Sequence, residues 1–161
     1  MKTFKEADIL LPGKEVNMEK WSVIACDQFT SEPEYWEEVK KFAGDSPSTL
    51  DMILPEVYLE QENHEEQLKN IEASMNKYLH EKVFTEYKDA MIYVERTDSV
   101  GNVRAGIVGK IDLEQYDYSK KSTSFIRATE ATVAERIPAR VEIRNNAVCL
   151  LYTSPSPRDP K

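Results

Sequence analysis

The chain has 161 residues, and its 21 Lys and Arg against 29 Asp and Glu give a net charge of −8 at pH 7. An acidic chain of this kind is a poor non-specific nucleic-acid binder, because it cannot replace the counterions around a phosphate backbone. No apolar run approaches the about 20 residues that a membrane-spanning helix needs, so we expect a soluble protein with no membrane partner.

The cysteine content and the N-terminus indicate a cytoplasmic protein. The two cysteines, Cys26 and Cys149, are too few for the disulfide framework of a small secreted domain. Residues 1–15 carry several charged side chains and lack the apolar stretch of a secretory signal. We therefore expect cytoplasmic localisation, and the sequence leaves the oligomeric state open.

The C-terminal segment has an unusual sequence. Residues 149–159 read Cys-Leu-Leu-Tyr-Thr-Ser-Pro-Ser-Pro-Arg-Asp, which matches the in-frame translation of a transposase-based sequencing adapter codon for codon. A natural disordered tail rich in Pro and Ser is the alternative interpretation. On the adapter interpretation, residues 1–148 are the native part of a truncated, metagenomic fragment, and residues 149–161 are a non-native tail. We expect that tail to pack poorly, because it was never selected against this core.

Two strands and a helix are predicted in the first part of the chain. Residues 7–12 and the β-branched run at residues 21–26 have the apolar content of buried strands. Ser31 is placed to cap a helix that continues to about Phe42 and has a proline at an early position. The apolar run at residues 50–59 is interrupted by a proline, which favours a strand edge or a bend.

The middle of the chain carries the clearest periodic pattern. Apolar residues recur every three or four positions between residues 60 and 82 and predict a long helix, with an apolar face made of Leu68, Ile71, Met75, Tyr78 and Leu79. Residues 90–95 and 103–113 are extended runs, and the Gly and Asx residues at 98–102 predict a hairpin turn between them. Because each apolar face needs a partner and no Gly/Pro/Ser-rich linker separates them, we expect helix and hairpin to share one core.

The last part of the chain predicts one more helix. Residues 125–132 are consistent with a strand or loop that enters this helix, and Pro138 is expected to kink or divide it. Together the elements predict an α+β fold with a mixed, largely antiparallel sheet and packed helices.

The sequence carries none of the common catalytic or metal-binding motifs. It has no H-E-x-x-H, C-x-x-C or calcium-loop pattern, and His64 and His80 lie among charged residues of the predicted helix. The glycine spacing at residues 101–106 is that of a phosphate loop, but Ile107 and Val108 stand where Lys and Ser or Thr are required. The sequence therefore indicates no metal site and leaves any cofactor unidentified.

The first candidate site is the polar segment at residues 26–30, Cys-Asp-Gln-Phe-Thr. It follows a predicted buried strand, and α/β proteins often place ligand-binding groups at such strand ends. Asp27 is a candidate catalytic carboxylate in this segment. The alternative is turn and capping chemistry by Asp27 and Thr30, with Cys26 a buried structural thiol.

The second candidate site lies at residues 127–136. An arginine followed by threonine hydroxyls near a helix start offers the donors that bind anions. The candidate ligand-binding residues are Arg127, Thr129, Glu130, Thr132 and Arg136. Glu130 is also a candidate catalytic carboxylate. On a single helix Arg136, Arg140 and Arg144 would form a stripe able to bind carboxylate or phosphate, and the alternative is an exposed face on which neighbouring glutamates pair with these arginines.

Six segments resemble one known family in the same order. They are residues 4–12 (Phe-Lys-Glu-Ala-Asp-Ile-Leu-Leu-Pro), 21–36 (Trp-Ser-Val-Ile-Ala-Cys-Asp-Gln-Phe-Thr-Ser-Glu-Pro-Glu-Tyr-Trp), 53–59 (Ile-Leu-Pro-Glu-Val-Tyr-Leu), 93–96 (Tyr-Val-Glu-Arg), 106–109 (Gly-Ile-Val-Gly) and 126–138 (Ile-Arg-Ala-Thr-Glu-Ala-Thr-Val-Ala-Glu-Arg-Ile-Pro). Over about residues 3–147 the chain resembles the N-terminal third of proteins in the domain of unknown function 1015 family of bacteria and archaea. The resemblance implies no particular reaction, but genes of this family often lie near serine-biosynthesis genes, which points to phosphorylated hydroxy or amino acids.

Three functions remain as hypotheses. The leading one is a protein that binds a small anionic metabolite or nucleotide through the residues at 127–136. The second is a phosphotransferase acting on a small hydroxy or amino acid, in which Asp27 or Glu130 serves as the base or holds a metal. The third is a structural or partner-binding module.

Overall fold

The computed structural model describes residues 3–59, 63–119, 121–127, 134 and 137–149. The chain divides into two compact units, the first formed by Met1–Leu11 with Thr85–Val133 and the second by Pro12–Phe84 with Ala134–Lys161. Helices and several small sheets are both present, so the predicted α+β class is confirmed. No helix in these ranges is both long and apolar enough to cross a bilayer.

Short paired strands make up most of the first unit. In the described residues β1 (Phe4–Lys5) pairs with β6 (Lys110–Ile111), β2 (Ala7–Pro12) with β3 (Phe84–Ala90), β4 (Ile92–Thr97) with β5 (Val103–Val108), and β7 (Tyr116–Asp117) with β8 (Ile126–Arg127). The pairs β1–β6 and β4–β5 are antiparallel, whereas β7–β8 is parallel. The expectation of largely antiparallel pairing is therefore met, with a parallel exception near the second candidate site.

The β4–β5 hairpin confirms the prediction made from the turn residues at 98–102. Its register pairs Tyr93 with Ile107 and Thr97 with Val103. The Asp98 carboxylate accepts the backbone N–H groups of Val100 and Asn102 at 2.9 and 2.8 Å and closes the turn. Gly101 has φ of +91°, a conformation that side chains with a Cβ rarely adopt.

The extended run at residues 103–113 is shorter than the sequence suggested, because the strand is interrupted at Gly109. A Cβ at this position would lie 2.6 Å from the Lys5 carbonyl oxygen and 2.8 Å from Cζ of Phe4. The absence of a side chain lets the chain approach β1 closely. As a result β6 pairs with β1 and does not extend the hairpin.

The second unit is mainly helical, with α1 (Met18–Trp21), α2 (Pro33–Ala43), α3 (His64–His80) and α4 (Ile137–Asn146). The predicted strand at residues 21–26 is wrong, because Trp21 ends α1 and residues 22–25 belong to no strand. The side chain of Asn17 caps α1 by accepting the N–H of Glu19 at 3.0 Å. This cap starts a helical turn just before the β-branched run. Trp21, the last residue of that turn, is buried.

Helix α2 forms where the sequence predicted it, but its start differs. The N-cap is Glu32, which makes no side-chain capping bond, so the predicted Ser31 cap is wrong. Pro33 occupies the first turn, where its missing N–H costs nothing. The side chain of Trp36 is 2% exposed, and its indole N–H donates to the Phe29 carbonyl at 3.3 Å, which ties the helix to the preceding turn.

The apolar run at residues 50–59 forms two short 3-10 helices, Thr49–Met52 and Glu56–Tyr58, and no strand. The hydroxyl of Ser48 caps the first by accepting the N–H of Leu50. Pro55 stands at the N-cap of the second. The expected bend is therefore present, while the expected strand edge is not.

Helix α4 is continuous from Ile137 to Asn146, with Pro138 as its second residue. Proline is tolerated in the first helical turn because the N–H it lacks has no partner within the helix. Pro138 therefore lies in the first turn of α4 and does not interrupt the residues that follow it. Residues 128–133, 135 and 136, which carry the predicted entry and the part of the predicted helix before Ile137, lie outside the described residues.

The hydrophobic core of the second unit forms around α3. Its buried members are Trp21, Met52, Leu54, Leu68, Ile71, Met75 and Tyr78. The helix period correctly predicted the four core residues that α3 supplies, whereas Leu79, the fifth residue of the predicted apolar face, is 38% exposed. The expectation that α3 and the β4–β5 hairpin share this core is wrong, because the hairpin belongs to the other unit. The apolar face of α3 packs instead against residues of α1, of α4 and of the 3-10 helix at Thr49–Met52.

Candidate functional site

Arg127 lies at the end of β8, beside the end of β7. The two strands run parallel in a register that pairs Tyr116 with Ile126 and Asp117 with Arg127. Because parallel strands end at the same edge, Asp117 and Arg127 leave the pair at neighbouring positions.

The Arg127 side chain is oriented by a backbone carbonyl. Its Nε–H donates to the Ser124 carbonyl oxygen at 3.1 Å, and the residue is exposed. In the part of the chain that the structure describes, no carboxylate forms an ion pair with this guanidinium. The two terminal amino groups of the guanidinium are the parts that bind carboxylate or phosphate in a bidentate manner.

Asp117, the register partner of Arg127, is bound by its own loop. Its carboxylate accepts the backbone N–H of Ser119 at 2.9 Å and the Ser119 hydroxyl at 3.0 Å, and it also bonds the side chain of Ser122. These hydrogen bonds, that of the Ser119 N–H first, lower the pKa of Asp117 from its usual value. Asp117 therefore carries its negative charge near neutral pH.

The loop between the two strands is folded by serine side chains. The Ser122 hydroxyl accepts the backbone N–H of Ser124 at 3.0 Å, and the Ser124 hydroxyl donates to the Gln115 carbonyl. These bonds fix the position of the Ser124 carbonyl oxygen, which accepts the Nε–H of Arg127. Asp117 and these serines were not predicted from the sequence, although the spacing Asp-x-Ser is typical of side-chain turns and was a usable signal.

Of the five predicted ligand-binding residues, the structure describes Arg127. Thr129, Glu130, Thr132 and Arg136 lie outside the described residues. Arg144, of the predicted arginine stripe, is exposed on α4 in the second unit, whereas Arg127 belongs to the first.

Asp27 lies in a turn of the second unit and not at the end of a strand. The Gln28 side-chain amide donates to its carboxylate at 3.5 Å, and the N–H of Gln28 bonds the Ala25 carbonyl at 3.0 Å. Phe29, two residues after Asp27, has φ of +50°, and its carbonyl oxygen accepts the indole N–H of Trp36. The premise of a buried strand before Asp27 is therefore wrong, and these contacts favour the turn interpretation of the segment.

The remaining nucleophiles and metal ligands give no cluster in the described ranges. Cys26 and Cys149 are half-buried and form no disulfide, and burial raises the pKa of the Cys149 thiol. No group of three His, Cys, Asp or Glu side chains suited to a metal ion occurs among the described residues.

The predicted tail at residues 149–161 is described only at its first residue. Cys149 packs against the core of the second unit, and residues 150–161 lie outside the described residues. The adapter origin of this segment stays a prediction.

Comparison with known proteins identifies one family. A family model described as a protein of unknown function (DUF1015) matches residues 10–153, which is most of the chain. Comparisons with curated proteins and with solved structures gave no match. The match contains five of the six segments of the sequence resemblance in full and the last three residues of the segment at 4–12. The chain therefore belongs to the DUF1015 family.

Proposed function

We propose that this DUF1015 chain binds a small anionic metabolite or nucleotide through Arg127 and the segment at residues 128–136 that follows it. A guanidinium offers several N–H donors in a rigid plane, which match the oxygens of a phosphate or carboxylate. The sequence after Arg127 adds two threonine hydroxyls, at Thr129 and Thr132, and a second arginine, Arg136. The proposal joins these residues into one anion site.

The observation that carries the proposal is that Asp117 and Arg127 form their hydrogen bonds with other groups. Residues paired in register on adjacent strands are natural ion-pair partners. Here, however, the Asp117 carboxylate is occupied by Ser119 and Ser122, and the Arg127 Nε–H by the Ser124 carbonyl. Within the described residues, the side chain is thus positioned by a neutral acceptor, which leaves the charge of the guanidinium for an external anion.

The ionised Asp117 carboxylate also constrains the ligand. A bare anion beside it would be repelled, whereas a hydroxyl group or a bound divalent cation would be attracted. The site therefore favours a ligand that carries a hydroxyl next to its anionic group, such as a phosphorylated hydroxy acid, or a nucleotide with its magnesium ion.

Titration of the chain with inorganic phosphate and with ATP, with and without Mg²⁺, by isothermal calorimetry tests the proposal. Arg127→Ala should weaken binding about ten-fold or more, the effect of losing a charged hydrogen bond worth roughly 1.5–3 kcal/mol. Arg104→Ala is the matched control, because Arg104 is an exposed arginine of the same unit on β5. Equal effects of the two substitutions, or no effect of Arg127→Ala, would contradict the proposal.

The same preparation separates the binding hypothesis from the phosphotransferase hypothesis. The chain is incubated with Mg²⁺, ATP and a small hydroxy acid such as serine or glycerate, and ADP release is followed. Saturable binding without ADP release supports a binding protein, whereas release that depends on the hydroxy acid supports a phosphotransferase. Asp27→Asn and Glu130→Gln would then test the two candidate carboxylates.

A further inference from the structure

A groove in the second unit has the size of a small-molecule site. It lies between α1 and α2 and has a volume of about 330 Å³, within the roughly 300–1,000 Å³ that ligand sites occupy. Ile24, Val39 and Ala43 form part of its apolar lining, and Ala43 is only 4% exposed. All of its lining residues belong to one unit, and none was a candidate from the sequence.

The charged groups along the groove favour a positively charged ligand. Two carboxylates, Glu19 and Glu38, line it against one ammonium group, Lys20; both glutamates are exposed, whereas Lys20 is half-buried. The groove also runs along the last turns of α2, from Glu38 to Ala43. Backbone carbonyls at a helix C-terminus carry partial negative charge and attract cations. Among the lining residues, the net side-chain charge and the α2 dipole therefore both favour a cation, while Lys40 and Lys41 of the same last turn lie outside the lining.

Two aromatic side chains of the lining add to this preference. Tyr35 is held in place by a ring stack on Phe29, with centroids 4.0 Å apart, and by an edge contact with Trp36 at 5.4 Å. Phe42 is 57% exposed, so its ring is accessible to a ligand in the groove. Aromatic faces attract ammonium groups through their quadrupole, and they also bury the apolar part of a ligand.

We propose that this groove binds a small organic cation, an amine with an apolar body. The apolar body lies against Val39 and Phe42, and the ammonium group lies toward Glu38 and Glu19. An organic anion of the same shape is disfavoured, because it would meet two carboxylates and the negative end of α2. This site is distinct from the anion site proposed above, since the two share no residue.

Three probes of nearly equal shape and different charge test the assignment. They are phenethylamine, 2-phenylethanol and phenylacetate, each titrated into the full chain at pH 7 while methyl and amide NMR shifts are followed. Phenethylamine should shift the methyl signals of Ile24 and Val39 and bind about five-fold or more tightly than the alcohol, with phenylacetate the weakest. Equal or tighter binding of phenylacetate, no saturable binding of any probe, or shifts confined to residues outside the groove would overturn the proposal.

Two substitutions separate the contribution of the Glu38 charge to amine binding from that of the Phe42 ring. Glu38→Gln should weaken the amine about two- to five-fold, the scale of an exposed charge pair, and leave the alcohol unchanged. Glu37→Gln is its control, on the same helix but outside the lining. Phe42→Ala should weaken amine and alcohol alike, and its large exposure keeps the fold intact, which thermal unfolding can verify. Equal effects of Glu38→Gln and Glu37→Gln on amine binding would contradict the assigned role of Glu38.

Discussion

The hydroxyl of Tyr78 accepts the backbone N–H of Ser48, 30 residues earlier, at a distance of 3.0 Å. The same hydroxyl donates to the Asp51 carboxylate. Tyr78 belongs to α3, while Ser48 and Asp51 belong to the cap and first turn of a 3-10 helix. Ser48 is only 1% exposed, so its N–H has no access to water. One phenol therefore satisfies a buried donor and joins two elements of the core.

Tyr78→Phe should destabilise the chain by about 1–3 kcal/mol. The substitution keeps the ring but leaves the buried N–H of Ser48 without an acceptor, and an unsatisfied buried donor costs that amount. Urea unfolding followed by circular dichroism measures the change. Tyr118→Phe is the control, because Tyr118 is 80% exposed and its substitution should change the unfolding free energy by less than about 0.5 kcal/mol. Equal changes for the two variants would contradict this assignment.

Tyr78 should also make stability depend on pH in the alkaline range. Burial, and next the hydrogen bond to Asp51, raise the pKa of Tyr78 well above its ordinary value. A group with a raised folded-state pKa contributes stability that is fully present below its unfolded-state pKa, about 10 for tyrosine, and is lost as the pH rises further. We expect unfolding to become easier above about pH 10.

This alkaline loss can be assigned to Tyr78 by comparing variants. The unfolding free energies of the parent chain and of Tyr78→Phe are measured between pH 8 and 11. Their difference should shrink above about pH 10, because the phenol of the unfolded parent chain ionises and its folded counterpart does not. Burial also raises the pKa of Tyr35 and Tyr58, so part of the alkaline loss should persist in the variant. A constant difference across the range would exclude Tyr78 as a source.

The elements that the sequence predicted well are those with a long or specific pattern. Helix α3 repeats its apolar residues over 17 residues, and the β4–β5 hairpin carries a turn sequence that few other structures accept. The predicted strand at residues 21–26 was wrong because Asn17, outside the apolar run, caps a helical turn that ends at Trp21. A cap depends on one residue, whereas an apolar run of six residues fits a strand and a helix equally well.

The candidate site was predicted only in part, because the two strands that form it are very short. Strands β7 and β8 have two residues each, too few to show alternation, so their parallel pairing could not be inferred. Arg127 was recognised by its chemistry and its threonine neighbours. Asp117 was not, because its proximity to Arg127 arises from strand pairing across ten residues of chain.

Substitution by alanine should lower the stability of the chain at Gly109 but not at Gly106. At Gly109 a Cβ would lie 2.6 Å from the Lys5 carbonyl, a contact that forces β1 and β6 apart. Gly109→Ala should therefore cost about 1–3 kcal/mol, the usual penalty of overpacking. At Gly106 a Cβ meets nothing within 4 Å, so Gly106→Ala should be neutral or stabilise the strand by about 0.5–1 kcal/mol.

Urea unfolding of both glycine variants checks this contrast, with amide hydrogen exchange at Lys5 and Lys110 as the local probe. Faster exchange at these two amides in Gly109→Ala, and unchanged exchange in Gly106→Ala, is the expected result. Exchange that is equally fast in both variants would show that the close approach to β1 is not specific to Gly109.

The hairpin turn should weaken in acid because of Asp98. Hydrogen bonds, the side-chain bond from Asn102 first, lower the pKa of Asp98 from its usual value. Stability from a carboxylate with a lowered folded-state pKa is present above its unfolded-state pKa, about 3.9, and is lost as the pH falls through the folded value. NMR titration should give Asp98 a pKa below the ordinary value of an aspartate. Amide exchange of β4 and β5 should accelerate as Asp98 takes up its proton.

Substitutions at Asp98 separate its charge from its geometry. Asp98→Asn keeps an oxygen that can accept the N–H groups of Val100 and Asn102 but removes the charge, so the hairpin should persist and lose its acid dependence. Asp98→Ala removes both acceptors, and amide exchange in the turn should accelerate at every pH. If Asp98→Asn and Asp98→Ala accelerate exchange to the same extent at pH 7, the charge of Asp98, and not the geometry of its acceptor oxygens, stabilises the turn.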